Sequence, residues 1–149
     1  MSHNSLVVLK TLCELSNWSI SNLQSHKLLY LSHMLLVGGE GIPLVEENFE
    51  AWDYGPVLPS VYHSAKAFGN KSIRNIYKSH NALNDENSPR EMYVIRDLVE
   101  FNKKKKPFEL VSITHWEGGA WAKNYTPGMR GNIIPNADIL EEYKVRAKG

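Results

Sequence analysis

Cys13 is the single cysteine of the chain, so no internal disulfide and no multi-cysteine zinc site can form, and the composition suits a reducing compartment. Charge of one sign is equally scarce. Seventeen basic residues face sixteen acidic ones, and the formal net charge of +1 provides no whole-molecule field of the kind that draws proteins to nucleic acid or anionic membranes. No stretch approaches the ~20 apolar residues that span a bilayer, and Met1 to Lys10 lacks a basic segment leading into an apolar run with a small-residue cleavage site. A cytoplasmic setting is expected, without membrane contact and with nucleic acid an unfavoured partner. Catalytic signatures are missing too. No serine sits in a Gly-x-Ser-x-Gly elbow, no HExxH or HxxxH pair occurs, and the glycines from Gly38 to Gly41 lack the lysine and Ser/Thr of a phosphate loop.

What is present is enough for one core: 149 residues with 42% apolar content. The spacing of Leu6, Leu9, Leu12 and Cys13 predicts a first helix over Leu6–Leu15, with Cys13 on its apolar stripe. Ser21 and Gln24 stand at capping-box spacing and open a second helix, Leu23–Val37, which is apolar almost all round and is therefore expected at the centre of the molecule. Gly38, Gly39 and Gly41 are expected to end it through positive φ. Asn48–Tyr54 reads as a short strand, broken by Gly55 and Pro56. Pro59 starts a third helix through Val61, Tyr62, Ala65 and Phe68, closed by Gly69.

Ile73–Tyr77 is a short strand or helical turn, and Ser79–Arg90 a polar surface loop. A further helix is predicted over Glu91–Lys104 and a short one from Phe108 to His115 or Trp116. Trp121 is expected to begin a loop, and Asn136 to cap a last helix whose basic end, Lys144–Lys148, frays. The expected fold class is mainly α: a single-domain helical bundle around a buried central helix, with a small β element, spanning residues 1–149 and carrying no separate DNA-binding module.

The side chains that invite a catalytic or metal reading are scattered. His26 and His33 share a helical face but lie about 10 Å apart along the axis, too far to hold one ion. A structural role, bonding buried backbone or tyrosine groups, is expected for them. Glu46, Glu47, Glu50 and Asp53 suggest carboxylates for a metal-dependent nuclease, yet no lysine lies between Glu46 and Pro56, and strand alternation separates Glu50 from Asp53. A solvated face or ion pairs to Lys27 or Lys66 are the expected uses of these acids. Lys103–Lys106 would spread around a helix with no base-reading arginine or asparagine beside them and are read as solvated. No catalytic residue, metal ligand or cofactor is assigned.

Aromatic surface remains. Trp and Tyr combine large burial with a polar tip and dominate both cores and binding hot spots. Trp52 and Trp121 are assigned to structure. Tyr54, Tyr62, Trp116, Tyr125 and Arg130, which lie near turns and element ends, are the candidate partner-binding residues.

The run His26-Lys27-Leu28-Leu29-Tyr30, then Phe49-Glu50-Ala51-Trp52-Asp53-Tyr54-Gly55-Pro56-Val57 with Pro59, Tyr62 and Lys66, resembles the Panacea domain, a SocA-like family that includes phage-associated GepA-like proteins. Thr114, His115 and Trp121, followed by Ile133-Ile134-Pro135 and Ile139–Tyr143, resemble its C-terminal pattern. The resemblance implies a mostly helical fold with a small β element and an antitoxin role in bacterial toxin–antitoxin pairs, prophage or mobile-element encoded, with a cognate toxin as partner. Some members deliver the toxin to a protease instead, so an adaptor role stays open beside occlusion. A hydrolase or nuclease with an unrecognised site is the alternative of another class, and the oligomeric state is left open. The segment Trp116–Ala120 and the polar insertion after Tyr77 depart from the family pattern and could mark partner-specific surface.

Overall fold

The computed structural model describes residues 2–104, 116 and 118–148. Helix α2 (Asn22–Glu40) forms its axis, packing against α1 (Ser5–Leu15), α3 (Pro59–Ala65), α4 (Pro89–Lys103), strand β2 (Gly55–Val57) and the C-terminal helix α6 (Asn136–Lys148). Five neighbours enclose the middle of α2, which is why Leu28, Leu29, Tyr30, Leu31, Met34 and Leu36 are all buried. Its entry is the capping box expected from the sequence: the Gln24 N–H donates to Ser21 Oγ (3.3 Å) and the Ser21 N–H to Gln24 Oε1 (3.0 Å). Cys13 is fully buried on α1, and burial pushes its thiol up to about 12, far from the reactive thiolate.

The exit of α2 corrects the sequence reading. The helix continues through Gly38 and Gly39 to Glu40, and only Gly41, at φ 71°, takes the left-handed conformation that ends it. Gly38 serves packing instead. A Cβ built there would lie 2.0 Å from Cγ of Tyr143, so the missing side chain is what lets the α6 tyrosine ring lie on the α2 backbone.

Three short antiparallel strands run in the order β2-β1-β3, with β1 at Phe49–Trp52 and β3 at Ile133–Ile134. Glu50 pairs with Val57, Ala51 with Pro56 and Trp52 with Gly55, while Phe49 pairs with Ile134. Gly55 and Pro56 therefore do not break the extended pattern. They are the first residues of β2, where an edge position tolerates a proline and Gly55, at φ 112°, carries the turn. Phe49 anchors the sheet on α2 through an edge-on contact with Tyr30 (5.3 Å, 89°).

α3 starts at Pro59 as expected and runs into a 3-10 turn, Lys66–Phe68, before Gly69. Residues 73–77 form neither strand nor helical turn; Ile73 and Tyr77 are buried, and the Ile73 N–H bonds the Ile20 carbonyl (2.9 Å). α4 begins two residues early because Pro89 takes the first helical position, where no N–H is needed. The helix predicted over residues 108–115 lies outside the described residues. Trp121 does not open a loop: it lies in a short helix, α5 (Ala120–Asn124). Asn136 is not the expected cap; it is the first residue of α6, and its Oδ1 is engaged by His33 Nε2 (2.8 Å). The basic end does not fray either, since α6 continues to Lys148 and Arg146 pairs with Glu142 (2.7 Å). Among the described residues no helix is long and apolar enough to cross a membrane.

Candidate functional site

The β1–β2 hairpin carries Trp52 at the end of β1, and four of the five candidate binding residues gather around it. Trp52 itself is 3% exposed. Its ring meets Tyr62 of α3 edge-on (4.9 Å, 67°), and the Arg130 guanidinium lies over it at 4.0 Å and over Tyr62 at 5.4 Å. A cation above two ring faces is held by their quadrupoles while its outer N–H groups remain free to donate. The Trp52 indole N–H donates to Glu50 Oε1 (2.9 Å), which also accepts from the Gly131 N–H (3.0 Å). Trp52 is thus structural, as the sequence suggested, but it is also the platform on which the surface cluster rests.

Residues 125–131 are tied to the hairpin turn by Asp53. Its Oδ1 accepts from the Tyr125 hydroxyl (2.7 Å) and the Gly128 N–H (3.0 Å), and these bonds hold its carboxyl below the usual carboxylate range. Tyr125 stacks on Trp121 (4.4 Å, 21°), and the Trp121 indole N–H donates to the Trp52 carbonyl (2.8 Å). Glu50 and Asp53 are therefore spent on loop geometry. The expected ion pairs to Lys27 or Lys66 do not form, because backbone and hydroxyl donors of the 125–131 loop reach both acids first.

Lys27 has another role. It is 1% exposed on α2, and its ammonium donates to the Tyr54 carbonyl, clamping the tip of the hairpin. Burial lowers its pKa from 10.5 to about 8. Tyr54, on that clamped tip, is 63% exposed, which places a large aromatic side chain in solvent on an ordered turn. Trp116 stands apart from the cluster, with Arg146 over its ring at 4.8 Å.

A cleft of about 410 Å³ opens beside the cluster, between the first turn of α2, the hairpin and α3. Leu23, Trp52, Val57 and Tyr62 supply apolar walls, Asn22 and His26 polar ones, and Lys66 the rim. Sequence reasoning missed Asn22, Leu23 and His26 as site residues because the helical stripe of α2 assigns them to the interior. The signal was available only in part: Asn22 and His26 stand one turn apart, but Gln24, Ser25 and Lys27 beside them are polar as well.

The histidines of α2 have the structural roles expected of them. His26 Nδ1 accepts from the Leu58 N–H (3.3 Å), and His33 Nδ1 accepts from the Leu44 and Val45 N–H groups (3.2 and 3.4 Å). Accepting at Nδ1 requires the proton on Nε2, and burial lowers the pKa of both rings, that of His26 to about 3. Among the described residues no group of three His, Cys, Asp or Glu is placed to hold a metal ion. What the site offers is shape, aromatic area and a few directed polar groups.

Comparison with known proteins agrees with this picture. The family model described as Antitoxin SocA-like, Panacea domain, matches residues 26–122, a span that holds α2 from His26 onward, the hairpin, α3 and Trp121. A relative, Antitoxin SocA of Caulobacter vibrioides (strain NA1000 / CB15N), is 35% identical over 109 residues, covering 68% of this chain. The chain spans 58% of that relative's length. No solved structure matches. A domain-length family match and a relative at this identity, over a mainly helical fold with a small antiparallel sheet, establish that the chain belongs to the Antitoxin SocA-like, Panacea domain family.

Proposed function

We propose that this chain neutralises a toxin protein by binding it through the face built on Trp52, without covalent chemistry. The observation that carries this reading is the joining of an exposed tyrosine, Tyr54, to an arginine seated on two rings, Arg130 over Trp52 and Tyr62, on a turn clamped from both sides. Trp, Tyr and Arg supply most of the energy at protein interfaces when they are held rigid beforehand, because little side-chain entropy is then lost on docking. Family membership supplies the class of partner. Occlusion would take roughly 1,200–2,000 Å² of total interface. The chain acts in the cytoplasm, from a prophage or mobile element that also encodes its toxin, and uses no cofactor.

Co-expression with the neighbouring reading frame tests the class: that frame alone arrests growth, and the pair does not. With both proteins purified, Tyr54→Ala and Arg130→Ala each weaken the complex at least tenfold, about 1.4 kcal/mol; Tyr54→Ala leaves unfolding of the free chain unchanged, and Arg130→Ala lowers its stability by no more than about 1–2 kcal/mol, the worth of its ring contacts. Unaltered affinity in both variants would remove this face from the mechanism. A partner that stays active in the purified complex but loses half-life in cells would replace occlusion with delivery to a protease.

A further inference from the structure

Two buried polar atoms in the cleft have no partner. Asn22 is 8% exposed and His26 is 2% exposed, and neither Asn22 Oδ1 nor His26 Nε2 makes a hydrogen bond. Since His26 Nδ1 accepts from the Leu58 N–H, Nε2 carries a proton and is a donor. The cleft therefore holds one unused acceptor and one unused donor a helical turn apart on α2, where side-chain origins are about 5–6 Å from each other. Leaving such groups unpaired is costly, and native structures complete them with ordered water, an ion or a ligand.

We propose that the cleft is a docking site for one extended peptide segment of the bound protein. An apolar side chain enters between Leu23, Trp52, Val57 and Tyr62, and the same residue's backbone N–H donates to Asn22 Oδ1 while its C=O accepts from His26 Nε2–H. The N–H and C=O of one extended residue point to the same side, as they do when strands exchange paired bonds, and so present one donor and one acceptor together to a wall that offers one acceptor and one donor. Lys66 is the one charged side chain on the described wall, so an acidic residue beside the apolar one completes the fit. Tyr54 lines the same cleft, which joins it to the proposed binding face; the inference rests on that reading.

The test uses the intact, isotope-labelled chain and the blocked dipeptide acetyl-Glu-Leu-N-methylamide, followed by nuclear magnetic resonance. Titration should move the Trp52 indole N–H and the His26 Nε2–H saturably, with affinity on the order of millimolar for so small a ligand. Methylating the leucine nitrogen, which removes the donor, should weaken binding at least tenfold, as should Asn22→Leu, a variant that retains the His26–Leu58 bond. Tighter binding of adenosine than of the dipeptide would overturn the assignment. So would a direct coupling showing Asn22 Oδ1 and His26 Nε2–H bonded to each other, or an absence of shifts up to saturation of the dipeptide. If Asn22→Leu leaves toxin affinity unchanged while Tyr54→Ala lowers it, the cleft is not the docking site and the binding face stands. If the dipeptide binds but no neighbouring gene product does, the cleft stands and the antitoxin reading fails.

Discussion

Glu142→Ala is expected to lower the unfolding free energy by about 3–5 kcal/mol, measured by urea titration. Glu142 is 3% exposed, and it joins three elements. Its Oε1 accepts from the Tyr30 hydroxyl of α2 (2.8 Å) and from the Ala120 N–H that starts α5 (2.9 Å), while Oε2 pairs with Arg146 one turn later on α6 (2.7 Å). Truncation strands a fully buried hydroxyl and a buried N–H, and it removes the carboxylate facing the Arg146 guanidinium. That is more costly than removing the whole network, because the desolvation of each orphan is no longer offset. Glu142→Gln retains an amide oxygen at Oε1 and should recover part of the loss. A change below about 1 kcal/mol in the alanine variant would mean that packing of α6 on α2, and not this carboxylate, holds the C-terminal half in place.

Lys27→Met is expected to do the opposite: stabilise the fold by about 2 kcal/mol at neutral pH while weakening partner binding. The fall of the Lys27 pKa from 10.5 to about 8 corresponds to roughly 3 kcal/mol of burial cost carried by the charged form, and losing the bond to the Tyr54 carbonyl returns about 1 kcal/mol. The sign with pH follows from linkage. Below about pH 8 both folded and unfolded chains are protonated and the folded chain bears the full cost. Between pH 8 and 10.5 the folded chain releases its proton first and the cost fades, and above 10.5 it is gone. The advantage of the methionine variant should thus be complete at pH 7 and gone near pH 10.5, where the lost bond leaves it slightly the less stable of the two. Weakened binding follows because the hairpin tip bearing Tyr54 loses its clamp. A variant that is more stable and binds equally well would show that the tip needs no anchor from α2.

The sequence revealed local features well where one element's own residues determine them. Ser21 and Gln24 cap α2 by contacts within four residues, Pro59 starts α3, and the stripe from Met92 through Ile95 to Val99 identifies α4. It failed where the cause lies in a distant segment. Gly38 and Gly39 look like helix breakers but lie inside α2, and at Gly38 the Tyr143 ring, more than a hundred residues away, occupies the space a side chain would need. Gly55 and Pro56 look like a stop until pairing with β1 makes them an edge strand. Arg146 belongs to a basic tail by composition and to a buried network by its contact with Glu142.

The candidate site was legible in the same partial way. Tyr54, Tyr62, Tyr125 and Arg130 were identifiable as aromatic or cationic residues near turns, and the fold brings them around Trp52, whereas Trp116 joins Arg146. Asn22 and His26 could not be assigned to a site from spacing, since a buried polar residue on an apolar helix ordinarily finds a partner. Their unpaired atoms become visible only once every neighbouring donor and acceptor has been placed.

Backbone hydrogen exchange of the chain alone and in complex with the product of its neighbouring gene tests the central claim most directly. Slowed exchange on complex formation should concentrate at residues 52–57 and 125–131, the two segments that hold Tyr54 and Arg130. Protection confined instead to the outer face of α4, where Tyr93 is 74% exposed, with the hairpin unchanged, would contradict the account.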